Sequence, residues 1–241
     1  MTKNKLLIFF PTLNEEKNVA PLILELRDLY GKADFLVIDD SSMDKTVLNL
    51  QNLKLDRLKI LIRSENSGIG SAHREAISYA KEHNYQLLVT IDGDRTHRPV
   101  DIQLLLDQVD KHHLVVGSRF INYGSIMNWS KTRKFLTNAG HFVTKSGLGI
   151  PYDCSSGMRA YNISKNSFVD ILNVRAKGYD FFYKSIFSFQ KQNPDKIMEV
   201  PITLLPRASG DSKLSFSKAL ISIINLIFDI LKFRFLKFVK H

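Results

Sequence analysis

Five apolar, β-branched runs, LLIFF (6 to 10), DFLVID (34 to 39), LKILIR (58 to 63), QLLVTID (86 to 92) and HLVVGS (113 to 118), punctuate the first half of the chain. Helix-patterned stretches lie between them. A strand that is apolar on both faces must be covered on both, and runs that recur after helical crossovers pair in parallel. The expected fold class is therefore α/β: a mostly parallel sheet flanked by helices. The first helix is expected over about 17 to 30, with Val19, Leu22, Ile23, Leu26 and Leu29 on one face. Downstream, a helix over about 131 to 147, a helix pair, a strand KIMEVPI (196 to 202) and an apolar final helix are expected.

The 241 residues, 44% of them hydrophobic, suffice for one large α/β domain or one domain plus an appendage. Lys+Arg 34 against Asp+Glu 24 gives a net charge of +10, which suits an anionic partner: nucleic acid, a phosphorylated small molecule or an acidic membrane. The single cysteine, Cys154, excludes an internal disulfide framework and a thiolate zinc site, and reads as a small buried residue in a reducing compartment. The apolar run at the N-terminus ends at Pro11, too short for a signal peptide. ALISIINLIFDIL (219 to 231) falls short of the roughly 20 residues of a spanning helix.

In parallel sheets ligands sit outside the carboxyl ends of the strands, so the residues following each run carry the function. They include Pro11, Leu13 and Glu15; Asp39 and Asp40; Arg63 to Gly70; Asp92, Gly93 and Asp94; and Ser118 and Arg119. Asp92 and Asp94 share one side of an extended segment, and like charges so close repel unless something positive lies between them. The candidates are a divalent cation, a bound ligand, or Arg95, His97 and Arg98 just downstream. Ser42 and Asp44 fit helix caps, a reading that leaves the adjacent Asp39 and Asp40 unexplained. ENSGIGSAHREAI (65 to 77) carries Gly-x-Gly into a helix, either a plain tight helix start or a loop approaching a phosphate. His73, His83, His112, His113 and His141 read as solvated or packing residues, and His97 has a claim only through its acidic neighbours.

In order, FPTLNEEKNV, VIDDSSMDKT, IDGDRTHRP, VVGSRF, DCSSGMRAY and EVPITLLPRASGDSKLS resemble the motif series of glycosyltransferase family 2. Within it they are similar to the dolichol- or polyprenol-phosphate mannose synthase group, and the likeness covers nearly the whole chain. The resemblance implies a Rossmann-like fold of glycosyltransferase A type. It also implies that Pro11, Leu13, Glu15, Ile38, Asp40, Asp92, Gly93 and Lys213 hold a nucleotide-sugar, GDP-mannose or a UDP-sugar. Asp92, Asp94 and Thr96 match the positions that hold Mg²⁺ or Mn²⁺. Asp94, Arg119, Arg133 and Arg207 match catalytic positions, and Arg133, Thr137 and Asp153 fall at the acceptor phosphate. Trp129 keeps the spacing that places Arg133 there. Asp153 has a second reading, as the cap of the turn before Ser155 to Arg159. Lys45, Arg95 and Met158 depart from the family pattern and leave the sugar open between mannose, glucose and N-acetylated sugars.

The implied reaction is inverting, metal-dependent transfer of a sugar to a polyprenyl phosphate. A phosphate monoester has a second pKa near 6 and is already nucleophilic at neutral pH, so it needs arginines to position it more than a base. The alternative is the same fold with a saccharide hydroxyl acceptor in cell-surface polysaccharide synthesis, where Asp153 would serve as base. A sugar-nucleotide pyrophosphorylase would need a Gly-rich, Lys-containing loop after LLIFF. A nucleic-acid module explains the charge, yet gives four acids at one sheet edge no purpose. Residues 1–215 are expected to form the catalytic domain and 216–241 an amphipathic helix, lying on an anionic membrane or packed on the domain. The expected location is peripheral, at the cytoplasmic face of a membrane. Relatives often continue into spanning helices, so a separate membrane subunit is a further expected partner.

Overall fold

The computed structural model describes residues 5–121, 125–126, 131–165, 168–210 and 216–238. The first half runs β1 (Leu6–Thr12), α1 (Val19–Leu29), β2 (Asp34–Asp39), α2 (Thr46–Asn52), β3 (Leu58–Ile62), α3 (Ile69–Glu82), β4 (Leu87–Thr90), α4 (Ile102–Val109) and β5 (Leu114–Ser118). The second half runs β6 (Ser125–Ile126), α5 (Lys131–Leu148), β7 (Arg159–Asn162), α6 (Val169–Leu172), α7 (Asp180–Gln192), β8 (Ile197–Pro201), β9 (Thr203–Leu204) and α8 (Phe216–Phe238). Among the described residues, seven strands form one sheet in the order β3-β2-β1-β4-β7-β5-β8, and β6 pairs with β9. All neighbours in the large sheet are parallel except at β7, which is antiparallel to β4 and β5.

Alternate side chains of the strands enter two cores, which is why the runs read as continuously apolar. Leu7, Phe9, Leu36, Ile38 and Leu88 pack with Ala72, Ala76 and Ala80 of α3 and with Phe181, Ile186 and Phe189 of α7. Ile8, Phe10, Phe35, Val37 and Val89 pack with Val19, Leu22, Ile23 and Leu26 of α1 and with Ile102, Leu105 and Val109 of α4. Leu29, expected on the buried face of α1, is half exposed because the helix ends at that residue.

The sequence pattern does not reveal β7. Its four residues, RAYN, open with an arginine that is fully buried. Arg159 satisfies its guanidinium on the carbonyls of Ser156 (3.0 Å), Cys154 (3.2 Å) and Phe182 (2.9 Å) and on the Ser185 hydroxyl (2.8 Å). It thereby ties the loop before β7 to α7.

Helix α8 seats one face on the domain: Leu226 and Ile230 enter the core shared with α3 and α7. The Tyr183 hydroxyl donates to Asp229 (2.5 Å), and Lys184 bridges Asp180 (2.8 Å) and Asp229 (3.1 Å). The other side exposes Ile221, Ile224, Ile227, Phe228 and Leu231. The packed reading of this helix thus holds for one face, and the opposite face is exposed and apolar. No helix among the described residues is long and apolar enough to cross a membrane.

The start of α3 shows why the Gly-x-Gly is there. Gly68 caps the helix at φ +87°, a left-handed backbone that side chains rarely adopt. A Cβ on Gly70 would fall 2.7 Å from the Gly178 carbonyl and 2.9 Å from that of Ala176. Gly70→Ala is therefore expected to destabilise the fold by about 1–3 kcal/mol through overpacking against backbone, read as a lower urea midpoint. Gly140 of α5 meets nothing within 4 Å, and Gly140→Ala is expected to hold or raise stability by about 0.5–1 kcal/mol.

Candidate active site

A cavity of about 730 Å³ opens at the carboxyl edge of the sheet. Pro11, Leu13 and Glu15 reach it from the end of β1, and Ile38 and Asp40 from β2. Asp92, Gly93, Asp94 and Thr96 follow β4, Arg119 follows β5, and Arg207 follows β9, while Thr137 faces it from α5. Because β7 runs antiparallel, its leading residues Ser155, Ser156 and Gly157 arrive at the same edge and complete the floor. A Cβ on Gly157 would come within 2.7 Å of the Asp92 carboxylate, so the backbone there leaves room for that side chain alone.

The two acids of IDGD are held differently. Asp94 accepts from the Thr96 backbone amide (3.0 Å) and hydroxyl (2.7 Å) through one oxygen and from Arg207 (3.1 Å) through the other. Asp92 keeps 32% of its side chain open to the cavity, with the His97 imidazole 3.6 Å away. Removal from bulk water raises the Asp92 pKa; His97 and Arg119 oppose the shift, and Asp94 and Glu15 add to it. Among the described residues no three His, Cys, Asp or Glu side chains converge as a ready-made cage. Two hard carboxylates at one cavity edge nevertheless fit a divalent cation.

Arg207 bridges the site, pairing with both Glu15 and Asp94. It links the loop after β9 to the ends of β1 and β4. Arg119 is fixed from behind: Asp153 takes its guanidinium through both oxygens (2.8 and 2.7 Å). Burial would push the Asp153 carboxyl up, but the charge and hydrogen bonds of Arg119 hold it below the ordinary carboxylate range.

Asp153 is fully buried and does not line the cavity. Its expected contact with the acceptor gives way to a role behind the wall, because both oxygens are consumed by Arg119. Asp39 likewise turns inward, accepting from the Thr12 hydroxyl (2.9 Å) and the Ser42 amide (2.8 Å). Asp40 faces the cavity, yet its oxygens accept from the Ser67 and Gly68 amides (2.8 Å each) and Arg63 (3.1 Å). Those amides of the Gly-x-Gly loop are thus spent on Asp40, the plain helix start of the two readings. Arg133 lies in α5 one turn before Thr137; its side chain, with Trp129 and Lys213, lies outside the described residues.

Arg95 points away from the cavity and pairs with Glu25 of α1 (3.0 Å), at a backbone φ of 63°. Both partners are exposed, so Arg95→Ala is expected to change stability by at most about 1 kcal/mol and to leave transfer within about twofold, checked by urea unfolding and initial rates. His97 is buried at the cavity wall, where its Nδ1 accepts from the Asp92 amide at 3.3 Å. Arg63 falls among the strand-end residues the sequence points to, whereas Arg159 is marked only by the motif context of DCSSGMRAY, since its contacts with α7 lie on a distant segment.

A mostly parallel sheet whose carboxyl edge gathers Asp92, Asp94, Arg119 and Arg207 around one cavity suits a charged substrate. A model of glycosyl transferase family 2 matches residues 7–167; the chain belongs to that family and is a glycosyltransferase. It is 32% identical over 214 residues to the undecaprenyl-phosphate mannosyltransferase of Micrococcus luteus, covering 88% of each chain. It is 31% identical over 220 residues to the polyprenol monophosphomannose synthase of Mycolicibacterium smegmatis, covering 88% of this chain and 81% of the relative. The glucosyl-3-phosphoglycerate synthase of Mycobacterium tuberculosis, crystallised with Mg²⁺ and UDP, shares the fold. Its TM-score is 0.71 at 15% identity, over 95% of this chain and 79% of that one.

Proposed function

We propose that the protein transfers a hexose, mannose or glucose, from a nucleoside-diphosphate sugar to the phosphate of a polyprenyl phosphate, with inversion at the anomeric carbon. The carrying observation is the Arg119–Asp153 pair. The hydroxyl-acceptor alternative calls on Asp153 as base, and that carboxyl is fully buried, ion-paired and held below the ordinary carboxylate range. Arg119 lines the cavity instead, and its guanidinium is a group for binding phosphate rather than for taking a proton. The names of the two bacterial relatives support the same acceptor.

In this reading Pro11, Leu13, Ile38 and Asp40 line the base and ribose end, and Glu15 holds Arg207 toward the diphosphate. Asp92, Asp94 and Thr96 would hold Mg²⁺ or Mn²⁺, which supplies Lewis-acid stabilisation of the leaving diphosphate. Arg207, paired with Asp94, is assigned to the negative charge that grows as the sugar bond breaks. Arg119, Thr137 and Arg133 orient the acceptor phosphate, whose own oxygen is the nucleophile. Lys213 is assigned to the diphosphate. The exposed apolar residues of α8, with Phe135 and Phe142 of α5 and neighbouring Lys131, Lys134 and Lys232, suit an anionic membrane surface, the cytoplasmic one in this account.

The test combines purified protein, Mn²⁺ or Mg²⁺, radiolabelled nucleotide sugars and a short polyprenyl phosphate, and scores label in the organic phase. Label from GDP-mannose or a UDP-sugar is expected there. Label confined to a soluble oligosaccharide would overturn the proposal.

A further inference from the structure

Helix α5 turns Thr137, His141 and Thr144 toward the cavity, a four-and-three spacing that keeps all on one helix face. His141 is the residue of this stripe whose chemistry the account so far leaves unused. Its ring stacks flat on Phe120, centroids 4.1 Å apart and planes 11° from parallel. Phe120 directly follows Arg119, whose guanidinium lies 5.3 Å from the same phenyl ring. The stack fixes the plane of the imidazole next to the arginine assigned to the acceptor phosphate.

The two ring nitrogens are not equivalent. Nδ1 is sealed from solvent and has no hydrogen-bond partner. A proton on Nδ1 would bury an N–H donor without an acceptor, which costs more than a buried unpaired lone pair, so the neutral ring carries its proton on Nε2, the nitrogen left for a ligand in the cavity. Burial lowers the His141 pKa; Asp153 opposes that shift, and Lys145 and Arg119 reinforce it. An orphaned Nδ1 costs stability that a phenylalanine or leucine at the same place would not. A purely structural role therefore gives no reason for histidine.

We propose that His141 donates a hydrogen bond from Nε2 to an oxygen of the acceptor phosphate and so positions it beside Arg119. The inference rests on the phosphate-acceptor reading above. A neutral donor suits this place chemically. It orients the phosphate without adding another positive charge, and so leaves the attacking oxygen its electron density.

The test is kinetic, with a short polyprenyl phosphate and the nucleotide sugar that the wild type uses. His141→Phe keeps the stack and removes the donor. It is expected to raise the acceptor KM about tenfold, with donor KM within about twofold and Tm unchanged or higher. His141→Gln, whose amide reaches the place of Nε2, is expected to restore acceptor KM to within about threefold. His141→Asn, whose amide stops at the place of Nδ1, should behave like the phenylalanine variant and serves if that variant does not fold. An acceptor KM unchanged in both, or donor and acceptor KM rising together, overturns the role of His141 while wild-type transfer stands. A wild type that labels no polyprenyl phosphate overturns the acceptor reading itself.

Discussion

Asp94→Ala is expected to lower the transfer rate by about 10³-fold while the chain stays folded. The carboxylate has one oxygen set by the Thr96 amide and hydroxyl and the other facing Arg207. In the proposed mechanism Asp94 is one of the residues that would hold a divalent cation. Losing several kcal/mol of stabilisation at the leaving group corresponds to that factor, since about 1.4 kcal/mol is tenfold. Folding is spared because Arg207 keeps Glu15 and the Ser209 carbonyl (2.8 Å) as partners. Initial rates and a melting curve on the same preparation check both halves. Full activity in the variant would remove Asp94 from the reaction.

Asp153→Ala is expected to destabilise the protein by about 3–5 kcal/mol, the penalty for stranding a buried charge. Arg119 is only 6% exposed and Asp153 fully buried, so water cannot take the carboxylate's place. The pH dependence has a defined sign. The folded-state pKa of Asp153 is lowered, so its contribution is fully present above the unfolded value near 3.9 and is lost as pH falls through the folded one. Urea unfolding at pH 7 should show the loss. Between pH 5 and 3 the variant should lose less stability than the wild type. A loss below about 1 kcal/mol at pH 7 would mean that Arg119 does not depend on this carboxylate.

Much of this architecture is legible in the sequence, for a physical reason. β1, β2, β4 and β5 are covered on both faces, so each must be a continuous apolar run. The chain directly after each run lands at the carboxyl edge, so Glu15, Asp40, Asp94 and Arg119 could be picked out before any side chain was placed. Features that depend on partners far along the chain are not legible. β7 is four residues long, and its Arg159 reaches across to Phe182 and Ser185, 23 and 26 positions later. By sequence Asp153 fits the acceptor site or a turn cap; it does cap the turn, accepting from the Ser155 amide (3.2 Å), while Arg119, 34 positions earlier, takes both oxygens and turns it from the acceptor. Arg95 sits beside the acidic pair in sequence, yet a positive φ carries it out to Glu25. His141 looked like an ordinary packing residue, because neither the stack on Phe120 nor the sealing of Nδ1 leaves a mark on local pattern.

The central claim is that the acceptor brings its own nucleophile, a phosphate oxygen gripped by arginine, and needs no protein base. The most direct measurement compares a short polyprenyl phosphate with the polyprenol of the same length as acceptors, at equal concentration in the same detergent, using one labelled nucleotide sugar. Sugar transfer to the phosphate is expected to be at least about 10³-fold faster than to the alcohol, because the alcohol offers neither the charge that Arg119 binds nor a deprotonated oxygen. Comparable rates on the two lipids would contradict it.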